Sequence, residues 1–376
     1  MWLIFMKELQ EILNKLSNFA PDEKAILATV VDVVGSGYRR PGARMLIDAN
    51  GYSIGTVSGG CLEADVLERA KKVLQTDEPT VITYDTTKDE NSVFGLGMGC
   101  RGIVRILLEP IGNNYFLHRA LNISFENRER QLLATLISST NNSLLGGRFY
   151  YDRIEQTYLE DLPKELENST ELLDVCVKFY DQNKPPEVRQ YQIGEDTFEL
   201  FFENINPPLN LFLFGVGYDS LPLVKFAKEL GWRVTAIDHR PAFANKERLP
   251  EADEILVANI DDLADSTFND ANSVAVIMTH NYERDSKILP RLLKHNFLYI
   301  GALGPKKRTE KILAESGENF SWEQTAKLHA PIGLDIGAAT PEEIALAIVA
   351  EIQAVLKGRQ GGFLRERQGS IYGRSE

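Results

Sequence analysis

A cysteine with unusual neighbours lies in the segment VSGGCLEADVLERA, residues 57–70. Ser58, Gly59 and Gly60 precede Cys61, and the apolar residues that follow have the spacing of a helix. We therefore predict that Cys61 lies in the first turn of a helix, where backbone N–H groups stabilise a thiolate. The two glycines would let a large ligand approach the backbone closely. The alternative is a buried cysteine that packs as a small apolar residue.

Three arginines lie nearby in the turn GSGYRRPGARM, namely Arg39, Arg40 and Arg44. Guanidinium groups suit phosphate and carboxylate groups, and they would also favour a thiolate. The alternative is a solvated basic turn in an acidic protein. Because flexible glycines, a rigid proline and the thiol-bearing loop accompany the arginines, we interpret the region as an anion-binding site.

The other two cysteines have different surroundings. Cys100 lies in GLGMGCRG, whose four glycines would form either an anion-binding nest of N–H groups or a tight loop between strands. Cys176 lies in the apolar run LLDVCVKF, so we predict a core position for it. Three cysteines are too few for a disulfide framework and indicate a reducing cytoplasm.

A second glycine turn, FGVGYDSLPLVKF, places Gly215 and Gly217 between a predicted strand and a predicted helix. Asp238 follows at the end of the next strand, where a dinucleotide-binding fold has its ribose-binding acid. Ser220 replaces the third glycine, and Asp219 puts a negative charge where a pyrophosphate would lie. The turn therefore predicts a Rossmann unit, with either an NAD site or a helix that Asp219 or Ser220 simply caps.

Arg240 and three histidines surround the same predicted sheet edge. An acid at position 238 disfavours a ligand with a 2′-phosphate, and Arg240 could offset that effect. His239, His280 and His329 have no metal-ligand spacing, so we predict no metal site. His280 and His329 could both reach the crevice at the carboxyl ends of the strands.

The elements that must position these residues predict an α/β fold of two domains. Strands and helices alternate after the Pro207-Pro208 pair, which is typical of a parallel sheet, so residues 207–358 are predicted as a C-terminal Rossmann-like domain. Residues 1–206 are predicted as an N-terminal α+β domain with a β-rich elaboration over 113–206. Residues 359–376 are expected to form a flexible tail.

Local signals predict several individual elements. Asn50-Gly51 and the segment 194–196 are each expected at the turn of a hairpin, and a helix is predicted in NRERQLLATLIS, residues 127–138. Thr340 is predicted to cap the last helix in a capping box with Glu343, and the helix is expected to end before Gly358.

The composition limits the class of protein. The chain has 376 residues and a formal net charge of −13, which argues against nucleic acid as its main partner. Its first residues, MWLIFMKELQEILNKL, predict an amphipathic helix and not a signal peptide or a membrane span. We expect a cytoplasmic protein without a membrane partner, and we expect a homo-oligomer.

Several of these motifs resemble the XdhC/CoxI family of molybdenum-cofactor accessory proteins. The resemblance covers most of both predicted domains but not the middle third of the chain. It rests on GSGYRRPGARMLI, GTVSGGCLEADV, GLGMGCRGIVRILLEP, FLFGVGYDSLPLVKFAKELGWRVTAIDHRPA, MTHNYERDSKILPRLL, YIGALGPKKR and LHAPIGLDIGAATPEEIALAIVAEI. One departure is that Tyr218 and Ser220 stand where many members have a histidine and a third glycine.

The resemblance implies a chaperone that binds the molybdenum cofactor (molybdopterin) while a cysteine desulfurase helps to add its sulfido ligand. The chaperone would then pass the cofactor to xanthine dehydrogenase or a related molybdenum hydroxylase. On this chain the ligand surface would involve the Arg39–Arg44 turn, the Ser58–Cys61 loop and the Rossmann crevice. A soft thiolate at Cys61 would suit molybdenum or sulfur.

Two other classes of function stay open. One is an NAD-dependent oxidoreductase in which His280 or Cys61 acts as acid, base or nucleophile. The other is a scaffold that docks the desulfurase to the hydroxylase without binding a pterin. The family resemblance favours an accessory protein over an enzyme with its own turnover.

Overall fold

The chain divides into two compact units, with the boundary between Pro207 and Pro208. The computed structural model describes residues 6–20, 22–35, 37–85, 102–112, 116–140, 144–152, 156–160, 162–167, 169–193 and 195–368. In this part of the chain, no helix is both long enough and apolar enough to cross a membrane.

The first unit contains five helices and ten strands within the described ranges. In chain order they are α1 (Met6–Ser17), β1 (Ala25–Gly35), β2 (Arg44–Asp48), β3 (Ser53–Gly55), α2 (Glu63–Thr76), β4 (Thr80–Asp85), β5 (Gly102–Ile111), α3 (Phe116–Asn127), β6 (Gln131–Ser138), β7 (Arg148–Asp152), β8 (Gln156–Glu160), α4 (Lys164–Glu167), α5 (Thr170–Gln182), β9 (Glu187–Ile193) and β10 (Asp196–Ile205).

The strands of the first unit form two antiparallel sheets of five strands each, in the orders β3-β2-β1-β5-β4 and β8-β7-β6-β10-β9. Alternate residues of β1 face opposite sides of the first sheet, as strand geometry requires. Ile26 and Ala28 pack with Val66 of α2, whereas Leu27 packs with Leu133 of the second sheet. The unit is therefore layered as helix, sheet, sheet and helix, with α5 on the outer face of the second sheet.

The structure corrects the helix predicted over residues 127–138. A helix, α3, ends at Asn127, and residues 131–138 form strand β6 instead. Because β6 lies between the first sheet and α5, seven of its eight residues are buried and its apolar run shows no alternation. Periodicity cannot separate such a strand from a buried helix. The hairpin at Asn50-Gly51 is confirmed, and β9 and β10 pair antiparallel as the second predicted hairpin requires, although residue 194 of its turn lies outside the described residues.

The second unit contains six parallel strands and five α-helices in its described part. They are β11 (Asn210–Phe214), α6 (Leu221–Glu229), β12 (Arg233–Asp238), β13 (Glu254–Val257), β14 (Ser273–Ile277), α7 (Tyr282–Leu293), β15 (Tyr299–Ala302), α8 (Lys306–Glu315), α9 (Trp322–Ala326), β16 (Leu328–His329) and α10 (Pro341–Leu356).

The sheet of the second unit has the order β13-β12-β11-β14-β15-β16, with every neighbouring pair parallel. This is the Rossmann order, and its topological switch point lies between β11 and β14. The strands are buried on both faces, which explains their continuous apolar sequences. The predicted α/β class is confirmed, and so is the capping box in which Thr340 accepts from the Glu343 N–H.

Candidate functional site

A hydrogen-bonded loop in the first unit connects β3 to α2 and carries Cys61. Oγ of Ser58 accepts hydrogen bonds from the N–H groups of Gly60, at 3.2 Å, and Leu62, at 3.1 Å, and it donates to Glu63. The other carboxylate oxygen of Glu63 accepts from the Ser58 N–H at 2.8 Å. Burial favours the neutral acid, but these hydrogen bonds outweigh it and lower the pKa of Glu63. Ser58 and Glu63 thus hold the loop in one shape.

Cys61 is exposed at the tip of this loop. Its thiol lies 3.6 Å from Oγ of Ser58. The structure corrects the predicted position, because α2 begins at Glu63 and Cys61 precedes the helix. Gly60 has φ +106°, and a Cβ at Gly59 would lie 3.1 Å from the ring of Tyr38. The SGGC loop and the arginine-rich turn are therefore in direct contact.

The three arginines of that turn have separate roles. Arg44 is 4% exposed and forms an ion pair with buried Glu203 of β10, so it joins the two sheets. The prediction that Arg44 belongs to an anion-binding site is therefore corrected. Arg39 forms an ion pair with Glu8 of α1. Arg40 is partly exposed. The predicted cluster of three anion-binding arginines is therefore not assembled.

Of the predictions for the other two cysteines, the structure tests the one for Cys176. Cys100 and three of its neighbouring glycines lie outside the described residues. Cys176 is fully buried on α5, which confirms the predicted core position, and burial raises the pKa of its thiol. Of the cysteines that the structure describes, Cys61 is the accessible one.

The glycine turn after β11 lies in close contact with the backbone at the end of β14. A Cβ at Gly215 would lie 2.6 Å from the carbonyl oxygen of Met278. Nε2 of His280 lies 2.6 Å from Oδ2 of Asp219, and His280 has φ +54°, a conformation that costs energy for a residue other than glycine. Ser220 donates to the Gly217 carbonyl at 2.8 Å. Neither predicted side chain caps α6; Asp219 instead pairs with His280 across the switch point.

At the end of β12, the carboxylate of Asp238 accepts hydrogen bonds from other residues of the chain. Its carboxylate accepts from the N–H of Val216 at 3.0 Å and from Nε and Nη2 of Arg240 at 2.9 and 2.7 Å. His239 adds a contact of 3.0 Å through Nδ1. Burial favours the neutral acid, but the hydrogen bonds from Arg240 and Val216 outweigh it and lower the pKa of Asp238 to about 2. Few lone pairs are left to accept ribose hydroxyls.

A cavity of about 610 Å³ opens beside these residues at the carboxyl edge of the sheet. Apolar side chains from β11, β12, α7 and the short turn after β13 form its floor, and charged side chains form its rim. The floor comprises Phe214, Ile237, Ile260 and Ile288, and the rim includes Asp238, His239, Arg240, Asp261, Asp262, His280, Glu283, Arg284 and Lys287. The size suits a small organic ligand.

Sequence reasoning missed the rim residues of α7 and misjudged His329. Glu283 and Arg284 follow the N-cap Asn281, and their sequence resembles that of any solvated helix start. His329 does not line the cavity; its ring stacks on Tyr299 at 4.3 Å. Position alone could have pointed to the α7 residues, since α7 follows β14 at the switch point.

We expect Arg240→Ala to raise the pKa of Asp238 toward its usual value of 3.8, because burial stays while the guanidinium is lost. In the native chain the charged Asp238 contributes stability above about pH 4 that is lost as the pH falls toward 2. Carbon-13 NMR of the carboxyl carbon measures the shift. Arg233→Ala, at the other end of β12, is the control, and an unchanged midpoint in Arg240→Ala would contradict the assignment.

Comparisons with known proteins agree with this architecture. The XdhC Rossmann domain matches residues 211–352, and the XdhC and CoxI family matches residues 19–85. A Bacillus subtilis protein named as a probable xanthine dehydrogenase subunit is 31% identical over 88% of this chain and 92% of its own length. The Escherichia coli protein named "Molybdenum cofactor insertion chaperone PaoD" is 22% identical over 88% of this chain and 83% of its own length.

A solved structure extends the similarity to three dimensions. The crystal structure described as a xanthine dehydrogenase from Bacillus halodurans is 28% identical and has a TM-score of 0.73, covering 93% of this chain and 96% of that one. The family resemblance seen in the motifs is thereby confirmed. With 31% identity to the B. subtilis protein along nearly its whole length, this chain belongs to the XdhC and CoxI family.

Proposed function

We propose that this chain binds the molybdenum cofactor as its cargo and assists its insertion into a xanthine-dehydrogenase-type molybdenum hydroxylase. Support comes from the relatives, one of which is named a molybdenum cofactor insertion chaperone and another a probable xanthine dehydrogenase subunit. The proposal includes sulfuration of the bound cofactor with a cysteine desulfurase as the sulfur donor.

The observation that carries the proposal is the exposed thiol of Cys61 on a preformed loop. Ser58 and Glu63 fix the loop, so the cargo does not have to order it on binding. Gly60 has no side chain and no atom within 4 Å of the position that a Cβ would take, so a large ligand can approach the backbone there. A thiolate is a soft ligand suited to molybdenum or to a sulfur intermediate. We assign Cys61 the contact with the metal centre of the cargo.

The dinucleotide oxidoreductase alternative has less support from the crevice. Asp219 lies at the turn that would hold a pyrophosphate, and Asp238 already accepts hydrogen bonds from Arg240 and Val216. Both features oppose the contacts that NAD usually makes in a Rossmann domain.

Pterin content after anaerobic purification from a cofactor-producing host tests the proposal. We expect the native chain to carry pterin and Cys61→Ala to lose it by about tenfold or more, as for other losses at metal sites. Cys176→Ala removes a buried thiol and is the control. Pterin in native and Cys61→Ala alike would remove Cys61 from the site, and pterin in neither would overturn the cofactor proposal.

A further inference from the structure

The described elements of the first unit occur in the same succession twice. Three strands, a helix and two strands follow one another in residues 25–111 and again in residues 131–205, where the short helix α4 is added. The two sheets arrange them alike, since β3-β2-β1-β5-β4 corresponds strand by strand to β8-β7-β6-β10-β9. We name residues 25–111 copy A and residues 131–205 copy B.

The strand pairing of the two copies agrees residue by residue. Leu27 pairs with Glu109 in copy A, as Leu133 pairs with Glu203 in copy B. The sequence ILAT in β1 corresponds, in the same register, to LLAT in β6. β1 and β6 are therefore equivalent strands, and so are β5 and β10.

Two irregular features also occur at equivalent positions. The pairing of β1 with β5 shifts register at Val31, and the pairing of β6 with β10 shifts at Ile137. Asp77, which caps the end of α2, has φ +59°, and Asn183, which caps the end of α5, has φ +45°. Residues other than glycine seldom adopt such a φ. Shared irregularities of this kind indicate that one segment has been duplicated.

Buried ion pairs connect the two copies reciprocally. Arg44 and Arg148 begin the equivalent strands β2 and β7, and each donates to the carbonyl oxygen two residues before it. Arg44 pairs with Glu203 of copy B, and Arg148 pairs with Glu109 of copy A. Equivalent residues thus exchange the same contact, which is the property of an isologous, two-fold interface.

Equivalent residues meet each other at the centre of this interface. One core cluster consists of three equivalent pairs, namely Val31 with Ile137, Leu107 with Phe201 and Val81 with Val188. Arg105 and Glu199 pair with the residues that follow the two register shifts, and they form an ion pair with each other at 2.5 Å. Because equivalent residues touch at a two-fold axis, such an axis passes between Arg105 and Glu199.

The axial ion pair determines which two copies can associate. Copy A contains both Arg44 and Glu109, so two copies A could form the reciprocal buried pairs equally well. The axis would then bring Arg105 against a second Arg105, whereas two copies B would bring Glu199 against a second Glu199. Like charges in contact disfavour both arrangements. The inner face of copy A therefore selects copy B as its partner.

We propose that the first unit is a fused homodimer, in which the inner face of the first sheet is a self-association surface and copy B takes the place of a second copy A. The copies have diverged in the loops before their helices. Copy A has the SGGC loop with Cys61, whereas copy B has α4 and no cysteine in residues 161–169. The thiol loop is thus presented once per chain, and copy B supplies the other half of the core.

Exchanging equivalent side chains across the axis tests the proposal in the full-length chain. Leu107→Phe and Phe201→Leu are each expected to lower the folding equilibrium constant of the first unit by about tenfold, through overpacking or a cavity. Together they should restore it to within about threefold, because each side chain then takes the surroundings of the other. Hydrogen exchange of the β1 and β6 amides in increasing urea measures these constants.

Val31→Phe combined with Phe201→Val is the matched control. These residues share the central cluster but are not equivalent, so their exchange should not restore the folding constant. Equal recovery in both exchanges, or recovery in neither, would overturn the proposal. Val31→Ile combined with Ile137→Val decides the question if the larger variants do not fold: each single change is expected to cost about threefold and the pair to recover. Additive losses would refute the two-fold relation.

Glu199→Arg tests the selection of the partner, because it places two arginines at the axis. The folding constant is expected to fall by about threefold or more and to recover when Arg105→Glu is added. An unchanged constant in Glu199→Arg would show that the axial charges do not select copy B.

Discussion

Arg44→Ala is expected to lower the free energy of unfolding of the first unit by about 3–5 kcal/mol, the range for breaking a buried ion pair. Arg44 is 4% exposed and Glu203 is 1% exposed, so the substitution leaves a carboxylate buried without its partner. The pair also links β2 of one sheet to β10 of the other. Hydrogen exchange of the β2 and β10 amides in increasing urea measures the loss.

Two variants separate this effect from a general loss of charge. Arg69→Ala removes an exposed pair with Asp65 on α2 and is expected to cost less than about 1 kcal/mol. Replacing Arg44 and Glu203 together by leucine should recover much of the stability, because no unpaired charge is then buried. If Arg44→Ala cost no more than Arg69→Ala, and pterin content fell instead, Arg44 would be a ligand residue after all.

Gly215→Ala is expected to destabilise the second unit by about 2–5 kcal/mol, from the combined cost of a left-handed φ and of steric overlap. Gly215 has φ +89°, and a Cβ would lie 2.6 Å from both the Met278 carbonyl oxygen and Cα of Thr279. These are backbone atoms at the end of β14, so a change of side-chain rotamer cannot relieve the overlap. The fluorescence of Trp232, buried beside this sheet, reports the unfolding transition in urea.

Gly317→Ala isolates the backbone part of that cost. Gly317 has φ +71°, and no atom lies within 4 Å of the position that a Cβ would take, so its substitution carries the backbone strain alone. The difference between the two variants measures the contact between β11 and β14. Equal costs would show that the close approach at Gly215 can relax and that glycine is needed there for its φ alone.

Much of the second unit could be predicted because its signals are local. Each strand is a short apolar run and each helix has its own periodicity and caps, as in the box formed by Thr340 and Glu343. Parallel topology then follows from the alternation of the elements. The first unit was harder, because β6 is covered on both faces by other elements and its apolar run lacks the alternation that identifies a strand.

The candidate sites were predicted in part. The sequence identified Cys61 and the loop that exposes it, as well as Gly215, Asp238 and His280 at the sheet edge. It did not show that Glu63 fixes the loop, although Glu63 lies only five positions after Ser58. Glu283 and Arg284 carry no sequence signal at all, because charged residues at a helix start are ordinary.

By itself, the sequence determined the fold class, the family and the positions of the glycine turns, since each depends on residues close together in the chain. Only the tertiary structure decided which charges are neutralised within the fold. Arg44 meets Glu203 across 159 positions, and Asp219 meets His280 across 61. The free energy of a charged group depends on its partners and on its burial, and both are set by packing between distant segments.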